Sequence, residues 1–287
     1  VLAVPVPELA ATVTVEPADG FAVGHRRFPD LASLLATRHE GDSRLVTAAI
    51  ARLASWMREN GSLPPSEGFS MMWRTTIPRS VGLAGSSALV IGALRSLARL
   101  WDTTIPDEVG PRLALEVEVD RLGIAAGPQD RLVQWHESTL LMDFGSGSWS
   151  IRAVHPPAPI DLLVCWTDAA RRPSHATHAP LQDRRDEPEV RERMAALAEL
   201  ARQAASALQA GDVDTVGQCM DAGLEHRGAL VSLERAHVEL VEQLRRLGAA
   251  ATYAGSGGAV VALAPDLTPL RDWATQLGLR NVTTAVT

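Results

Sequence analysis

The sequence predicts an α+β fold, and three observations carry that expectation. Segments with strand-like alternation are mixed with longer segments of helical periodicity. Strands and helices do not alternate strictly, as a doubly wound sheet would require. Of the 287 residues 46% are hydrophobic, enough to bury a large core.

The elements follow in order. Residues 11–16 (Ala-Thr-Val-Thr-Val-Glu) alternate as a half-buried strand. From Ser43 to Asn60 Leu45, Ala49, Leu53 and Trp56 share a helical face, which Gly61 closes. Residues 68–77 read as a strand ending at Pro78, and Ser86 to Trp101 as an apolar helix through Leu89, Ala93, Leu97 and Leu100. A helix near 107–122 and a glycine-containing stretch from Gly123 to Asp130 precede a strand at 139–144. The glycine–serine run at 145–148 and the prolines at 156–159 mark a boundary, giving expected domains 1–153 and 154–287. The second half opens with a strand at 160–166 and a polar, charged loop through Arg185. Helices are expected at 188–210, 213–224 and 231–248, then a strand–turn–strand around 255–258, a helix at 268–277 and a strand at 281–286.

Composition excludes several chemistries. A formal net charge of −7 argues against a general nucleic-acid or anionic-membrane binder. All 27 basic residues are arginine, so a Walker P-loop, a protein-kinase β3 lysine and a pyridoxal-phosphate Schiff base are ruled out. Cys165 and Cys219 lie far apart with no C-x-x-C spacing, and the close pair His175 and His178 lacks the neighbours that would complete a metal site. With no apolar run long enough for a bilayer and no signal peptide visible, a soluble cytoplasmic protein is expected.

The sharpest local signal is the run from Pro78 to Ala88, Pro-Arg-Ser-Val-Gly-Leu-Ala-Gly-Ser-Ser-Ala, at the mouth of an apolar helix. Glycines let backbone approach a ligand, helix-start N–H groups suit phosphate, and serine hydroxyls can ligate Mg²⁺. The same residues also cap an ordinary helix, so taken alone the run leaves both readings open.

Two further stretches stand in register with it: Leu122-Gly-Ile-Ala-Ala-Gly-Pro-Gln-Asp-Arg131 and Ala254-Gly-Ser-Gly-Gly-Ala259. The three together resemble signatures of the GHMP kinases, the galactokinase, homoserine kinase, mevalonate kinase and phosphomevalonate kinase superfamily. The usual P-x-x-x-G-L-G-S-S-A carries one extra residue here, reading G-L-A-G-S-S-A, which looks like the glucuronokinase branch. The second stretch is similar to G-I-x-A-G-x-Q-D-R, which carries the family's catalytic aspartate, and the third to its C-terminal glycine-rich signature.

The resemblance implies a two-domain fold, the N-terminal domain like ribosomal protein S5 domain 2 and the C-terminal one ferredoxin-like. It implies that Gly82, Leu83, Gly85, Ser86, Ser87 and Ala88 hold ATP, with Ser87 on Mg²⁺. Asp130 is implied as the catalytic carboxylate, either a general base for the acceptor hydroxyl or an orienting charge. Arg131 beside it would keep that carboxylate ionised or contact the transferring phosphoryl group, where an isolated Asp-Arg dipeptide would read as a surface ion pair. Glu118 is a candidate second Mg²⁺ ligand by resemblance, although a solvated charge among Glu116, Glu118 and Asp120 is the preferred reading. Thr177 and His178, with Gly255, Ser256, Gly257 and Gly258, are implied near the substrate. A carboxylated sugar would take a bidentate arginine, and Arg171, Arg172, Arg184 and Arg227 are the candidates. The tryptophans read as core.

The chain departs from the pattern in places. The family's first signature, a sugar-binding turn, would lie before Val1, and the chain opens without methionine, so additional native N-terminal residues are expected. Glu137-Ser138 replaces the usual Gly-Gly, and Gly223 stands where the branch has Asn. The implied function is an ATP-dependent sugar kinase, most like one acting on the anomeric hydroxyl of a uronic acid. The alternatives are a heptose, pentose or hexose kinase of the same family, or a catalytically silent nucleotide or sugar sensor. Its partners would be ATP, Mg²⁺ and a small sugar, with no nucleic acid and no membrane, in a monomer or homodimer.

Overall fold

Strand β2 (Ala11–Pro17) alternates half-buried and exposed residues and pairs antiparallel with β5 (Phe69–Thr75), Ala11 facing Thr75. Strand β3 (Phe21–Val23) runs parallel to β5 on its other side, and β4 (Arg26–Phe28) completes the order β2-β5-β3-β4. The computed structural model describes residues 1–145, 147–167, 181, 184 and 186–287. By contact these form two compact units, one of Leu9–Ile77 and Ala84–His136, the other of Val1–Glu8, Pro78–Leu83 and Glu137–Thr287.

In the first unit helices cover this sheet. After the short α1 (Leu31–Leu35), helix α2 (Arg44–Glu59) buries Val46, Ile50, Leu53 and Met57. That face is turned from the expected one: Leu45 and Trp56 are only half-buried, because small alanines at 48, 49, 51 and 54 let the helix sink on several sides. Helix α3 (Gly85–Leu100) buries Val90, Ile91, Leu94 and Leu97 against β2. It lies so close that a Cβ on Gly92 would fall 2.8 Å from Val13 Cγ2, and Ser96 Oγ donates to the Val13 carbonyl at 2.9 Å. The expected helix at 107–122 is α4 (Gly110–Glu116) running into a π turn, Val117–Arg121.

An unexpected helix follows, α5 (Gln129–His136), between the end of the glycine-containing stretch Gly123 to Asp130 and the strand expected at 139–144. With only two turns, its buried Leu132, Val133 and Trp135 show too little periodicity to register. Trp135 is seated in the core, and a Cβ on Gly110 would fall 2.2 Å from its ring.

The second unit holds two antiparallel sheets. One has the order β1-β6-β7, from Leu2–Ala3, Leu140–Asp143 and Ser150–Ala153. The other is built from β8 (Ile160–Trp166), β9 (Ala250–Tyr253), β10 (Ala259–Leu263) and β11 (Arg280–Val286) in the order β11-β8-β10-β9. Counted within that sheet the order is 4-1-3-2, the pairing of a β-α-β-β-α-β ferredoxin-like unit with an enlarged first crossover. That crossover comprises α6 (Pro188–Ala210), α7 (Val213–Leu230) and α8 (Arg235–Arg246), while α9 (Thr268–Gln276) precedes β11. Helix α7 outlasts its expected end at 224 by nearly two turns, since Leu230 supplies a further buried contact beyond the permissive Gly223 and Gly228.

Strand β6 pairs with β1 on one side and β7 on the other, and β1 and β6 pack against α6 in the second unit. Among the described residues no helix is long and apolar enough to cross a membrane.

Candidate active site

The segment between β5 and α3 carries unusual backbone. Ser80, Gly82 and Ala84 have φ of 60°, 76° and 55°, while Val81 and Leu83 between them stay negative. Alternating handedness turns neighbouring N–H groups to one side, a geometry suited to anions. A left-handed conformation at the non-glycine positions costs on the order of 1–2 kcal/mol per residue, so the surroundings must hold it.

Behind Val81 and Gly82 lies the turn Ala254–Gly258, in the same unit. Ala259 N–H donates to the Val81 carbonyl at 2.9 Å. A Cβ on Gly82 would fall 2.4 Å from the Ala254 carbonyl oxygen, and one on Gly258 2.4 Å from Val81 Cα. Two of the three sequence signatures thus meet backbone to backbone, and glycine is required there by contact as well as by φ. Gly258→Ala should destabilise the protein by about 2–5 kcal/mol, since a φ of 114° and a backbone clash act together. Gly223→Ala on α7, whose methyl would meet nothing within 4 Å, should stabilise it by about 0.5–1 kcal/mol. Urea unfolding of the two variants checks the contrast.

Arg227 holds that turn from α7. Its Nη1 donates to the Tyr253 carbonyl at 3.3 Å, Nη2 donates to the Gly255 carbonyl, and the guanidinium sits 4.1 Å over the Tyr253 ring. Burial pushes its pKa below the ordinary guanidinium value, with Tyr253 opposing the shift. Of the other candidate arginines, Arg184 pairs with Glu187 at 3.0 Å, and Arg171 and Arg172 lie outside the described residues, as do Thr177 and His178.

In the first unit α5 and the π turn assemble the acidic groups. Asp130 lies in the first turn of α5, its side chain 38% exposed and its Oδ2 3.4 Å from Arg131 Nη1. Arg131 is buried; it donates to the Gly127 carbonyl at 2.9 Å and, through Nη2, to Glu118 Oε2. Glu118 is itself fully buried, which corrects its reading as a solvated charge: Glu116 is half-buried and paired with Arg52 at 2.6 Å, and Asp120 is the exposed one of the three. Of the two roles open to Arg131, this geometry suits a charge fixed beside Asp130 better than a reach toward a phosphoryl group.

One turn beyond Asp130, Gln134 reaches the mouth of α3. Its Nε2 donates to the Ala84 carbonyl at 2.9 Å. The same oxygen accepts from Ser87 Oγ at 2.9 Å and from Ala88 N–H at 3.2 Å. The helix bearing Asp130 and the turn bearing Ser86 and Ser87 are therefore tied within one unit. Sequence reading passed over Gln134; its only signal was the four-residue step from Asp130 on a helix that had not been recognised. Glu137, standing where the resemblance has glycine, keeps a φ of 51°.

The oxygens here fit a hard cation such as Mg²⁺. Glu118 Oε1 is buried without a hydrogen-bond partner, and Ser87 Oγ, which donates its hydrogen bond to the Ala84 carbonyl, keeps its lone pairs. Among the described residues no group of three or more His, Cys, Asp or Glu forms a complete metal site, so phosphate oxygens would have to share the ion. Both cysteines are buried, and burial pushes the Cys165 thiol up to about 12, which leaves it no role as a nucleophile.

Residues 44–137 match the GHMP kinases N-terminal domain and residues 204–278 the GHMP kinases C-terminal domain. The chain belongs to the GHMP kinase family, a family of phosphotransferases. Within it, the chain is 32% identical over 280 residues to probable glucuronokinase 2 of Arabidopsis thaliana, covering 89% of this chain and 76% of that protein. To glucuronokinase 1 of the same plant it is 29% identical over 286 residues, with the same coverage. Its fold matches the phosphomevalonate kinase of Streptococcus pneumoniae, solved with phosphomevalonate and AMPPNP, at a TM-score of 0.79 and 17% identity over 96% of this chain and 89% of that one.

Proposed function

We propose that this chain is an ATP-dependent sugar kinase that moves the γ-phosphoryl group to the anomeric hydroxyl of a uronic acid. The observation that carries the reading is the Gln134–Ala84 hydrogen bond, which ties the helix of Asp130 to the serine-bearing mouth of α3. The likeness to the glucuronokinases supports the choice of acceptor.

In this reading Gly82, Leu83, Gly85, Ser86, Ser87 and Ala88 receive the triphosphate, using backbone N–H groups and the positive end of α3 in place of a Walker lysine. Ser87 Oγ and Glu118 Oε1 are the protein oxygens for Mg²⁺, which when bound neutralises charge on the transferring phosphate. Asp130 accepts the proton of the sugar hydroxyl as its oxygen bonds to the γ-phosphorus, the bond to the β–γ bridging oxygen breaks, and ADP leaves. Arg131 sets positive charge beside that carboxylate. Gly255, Ser256, Gly257 and Gly258 support the phosphate loop, with Thr177 and His178 assigned to the sugar by resemblance alone. The ATP-binding part is residues 1–153 and the C-terminal part 154–287, in a cytoplasmic enzyme.

The test is ATP consumption with Mg²⁺ across glucuronate, galacturonate, neutral hexoses, a pentose and a heptose. Turnover highest on a uronate is expected. Turnover on neutral sugars alone would remove the uronate assignment. No turnover on any, with nucleotide still bound, would make the chain a silent sensor.

A further inference from the structure

We infer that Gln134 is a positioning residue that sets the register between Asp130 and the phosphate-gripping turn, acting through the carbonyl of the extra residue, Ala84. The inference rests on the kinase reading above and adds to it a residue which that reading leaves unassigned. The usual signature runs Gly-Leu-Gly-Ser-Ser, whereas this chain inserts Ala84 between Leu83 and Gly85. That residue has φ 55° and ψ 37°, left-handed, at the N-cap of α3, with no side-chain cap bond there. Without glycine's freedom such a conformation persists only if its surroundings over-determine it.

Three donors do so, and they differ in kind. Ser87 Oγ and Ala88 N–H belong to the first turn of α3 itself, so they fix the shape of the turn but not its place. Gln134 Nε2 comes from another helix and, among the described residues, is the side-chain donor from α5 to that carbonyl. Its Oε1 is buried with no hydrogen-bond partner, so the amide is kept there for its donor alone. Asp130 stands four residues earlier, one helical turn of about 5.4 Å away on the same face. A single amide thus spans from the carboxylate's helix to the serines. Misplacing reacting groups by about 1 Å costs roughly 10²-fold in rate, and a lost or repelled Gln134 bond permits displacement on that scale.

Gln134→Glu keeps the shape and makes the donor depend on pH. Protonated, the new carboxyl donates to Ala84; ionised, it opposes the carbonyl with charge. The titratable and charged groups on α5 and on the elements packed against it are Asp130, Arg131 and His136 on α5, Glu118, Asp120 and Arg121 on the π turn, Arg95 and Arg99 on α3, and Arg112 and Glu116 on α4. With ATP, Mg²⁺ and the best sugar of the panel, kcat is measured for the variant and wild type from pH 5 to 9. The ratio of variant to wild-type kcat should be about 0.1 or lower at pH 8 and rise at least fivefold toward pH 5, with KM for ATP within about threefold throughout. Gln134→Met, of similar volume and without a donor, should show the low ratio at every pH. It carries the test through the kcat-against-KM split if the Glu variant does not fold by its circular-dichroism melt.

A ratio flat with pH, a Gln134→Met kcat within twofold of wild type, or a loss confined to KM would overturn the inference. A wild type inactive on every sugar would instead remove the kinase reading itself, so the two failures are told apart in one experiment.

Discussion

Asp130→Asn should lower kcat by about 10²–10⁴ while leaving ATP binding within a few-fold of wild type. The carboxylate is partly exposed and stands on the helix that Gln134 ties to Ala84, whereas Glu118 is enclosed and committed to Arg131. Asparagine keeps the shape and the hydrogen bonds of an acceptor oxygen but cannot take up the hydroxyl proton. Loss of a negative charge from the first turn of α5 costs the fold only about 0.3–1 kcal/mol, so an inactive variant should still melt near wild type. Single-turnover transfer, read beside fluorescent ATP-analogue binding, separates the two effects. A kcat within tenfold of wild type would remove Asp130 from the chemistry.

The largest stability effect should come from Arg131→Met. The guanidinium is buried and meets Glu118, the Gly127 carbonyl and Asp130 at once. Removing it leaves the fully buried Glu118 carboxylate without its partner, a change worth about 3–5 kcal/mol. Replacing both members, Arg131→Met with Glu118→Gln, should recover more than half of that loss, because no uncompensated charge remains inside. Urea unfolding of the two single variants and the double variant gives the coupling directly. If Arg131→Met unfolds within 1 kcal/mol of wild type, the buried pair does not hold the π turn to α5.

Much of the fold was legible because its elements advertise themselves locally. Helices α3 and α6, strand β2 and the strands flanking Gly255–Gly258 are long or strongly patterned, and each falls within a few residues of its expected bounds. Helix α5 was missed although it bears Asp130, since two turns give too few repeats to distinguish a helix from a loop. The short β3 and β4 are held by pairing with β5, a non-local contact that leaves no mark on three-residue segments. For the site, the glycines and serines of 82–88 and the dipeptide Asp130-Arg131 stood out as residue types in recognised spacing. Glu118 was misread because a lone glutamate between Glu116 and Asp120 has no local sign of its partner thirteen residues on.

By itself the amino-acid sequence determined the α+β class, the exclusion of lysine-dependent chemistry and the family to which the three glycine-bearing signatures belong. Those depend on residue identity and short spacing, which the chain carries whatever its folded form. Only the tertiary structure decided that Glu118 is enclosed by Arg131, that the 254–258 turn backs Val81 and Gly82, and that Gln134 joins α5 to Ala84. Each of these is a contact between elements distant in sequence, and burial and hydrogen bonding of that kind exist only once the chain has packed.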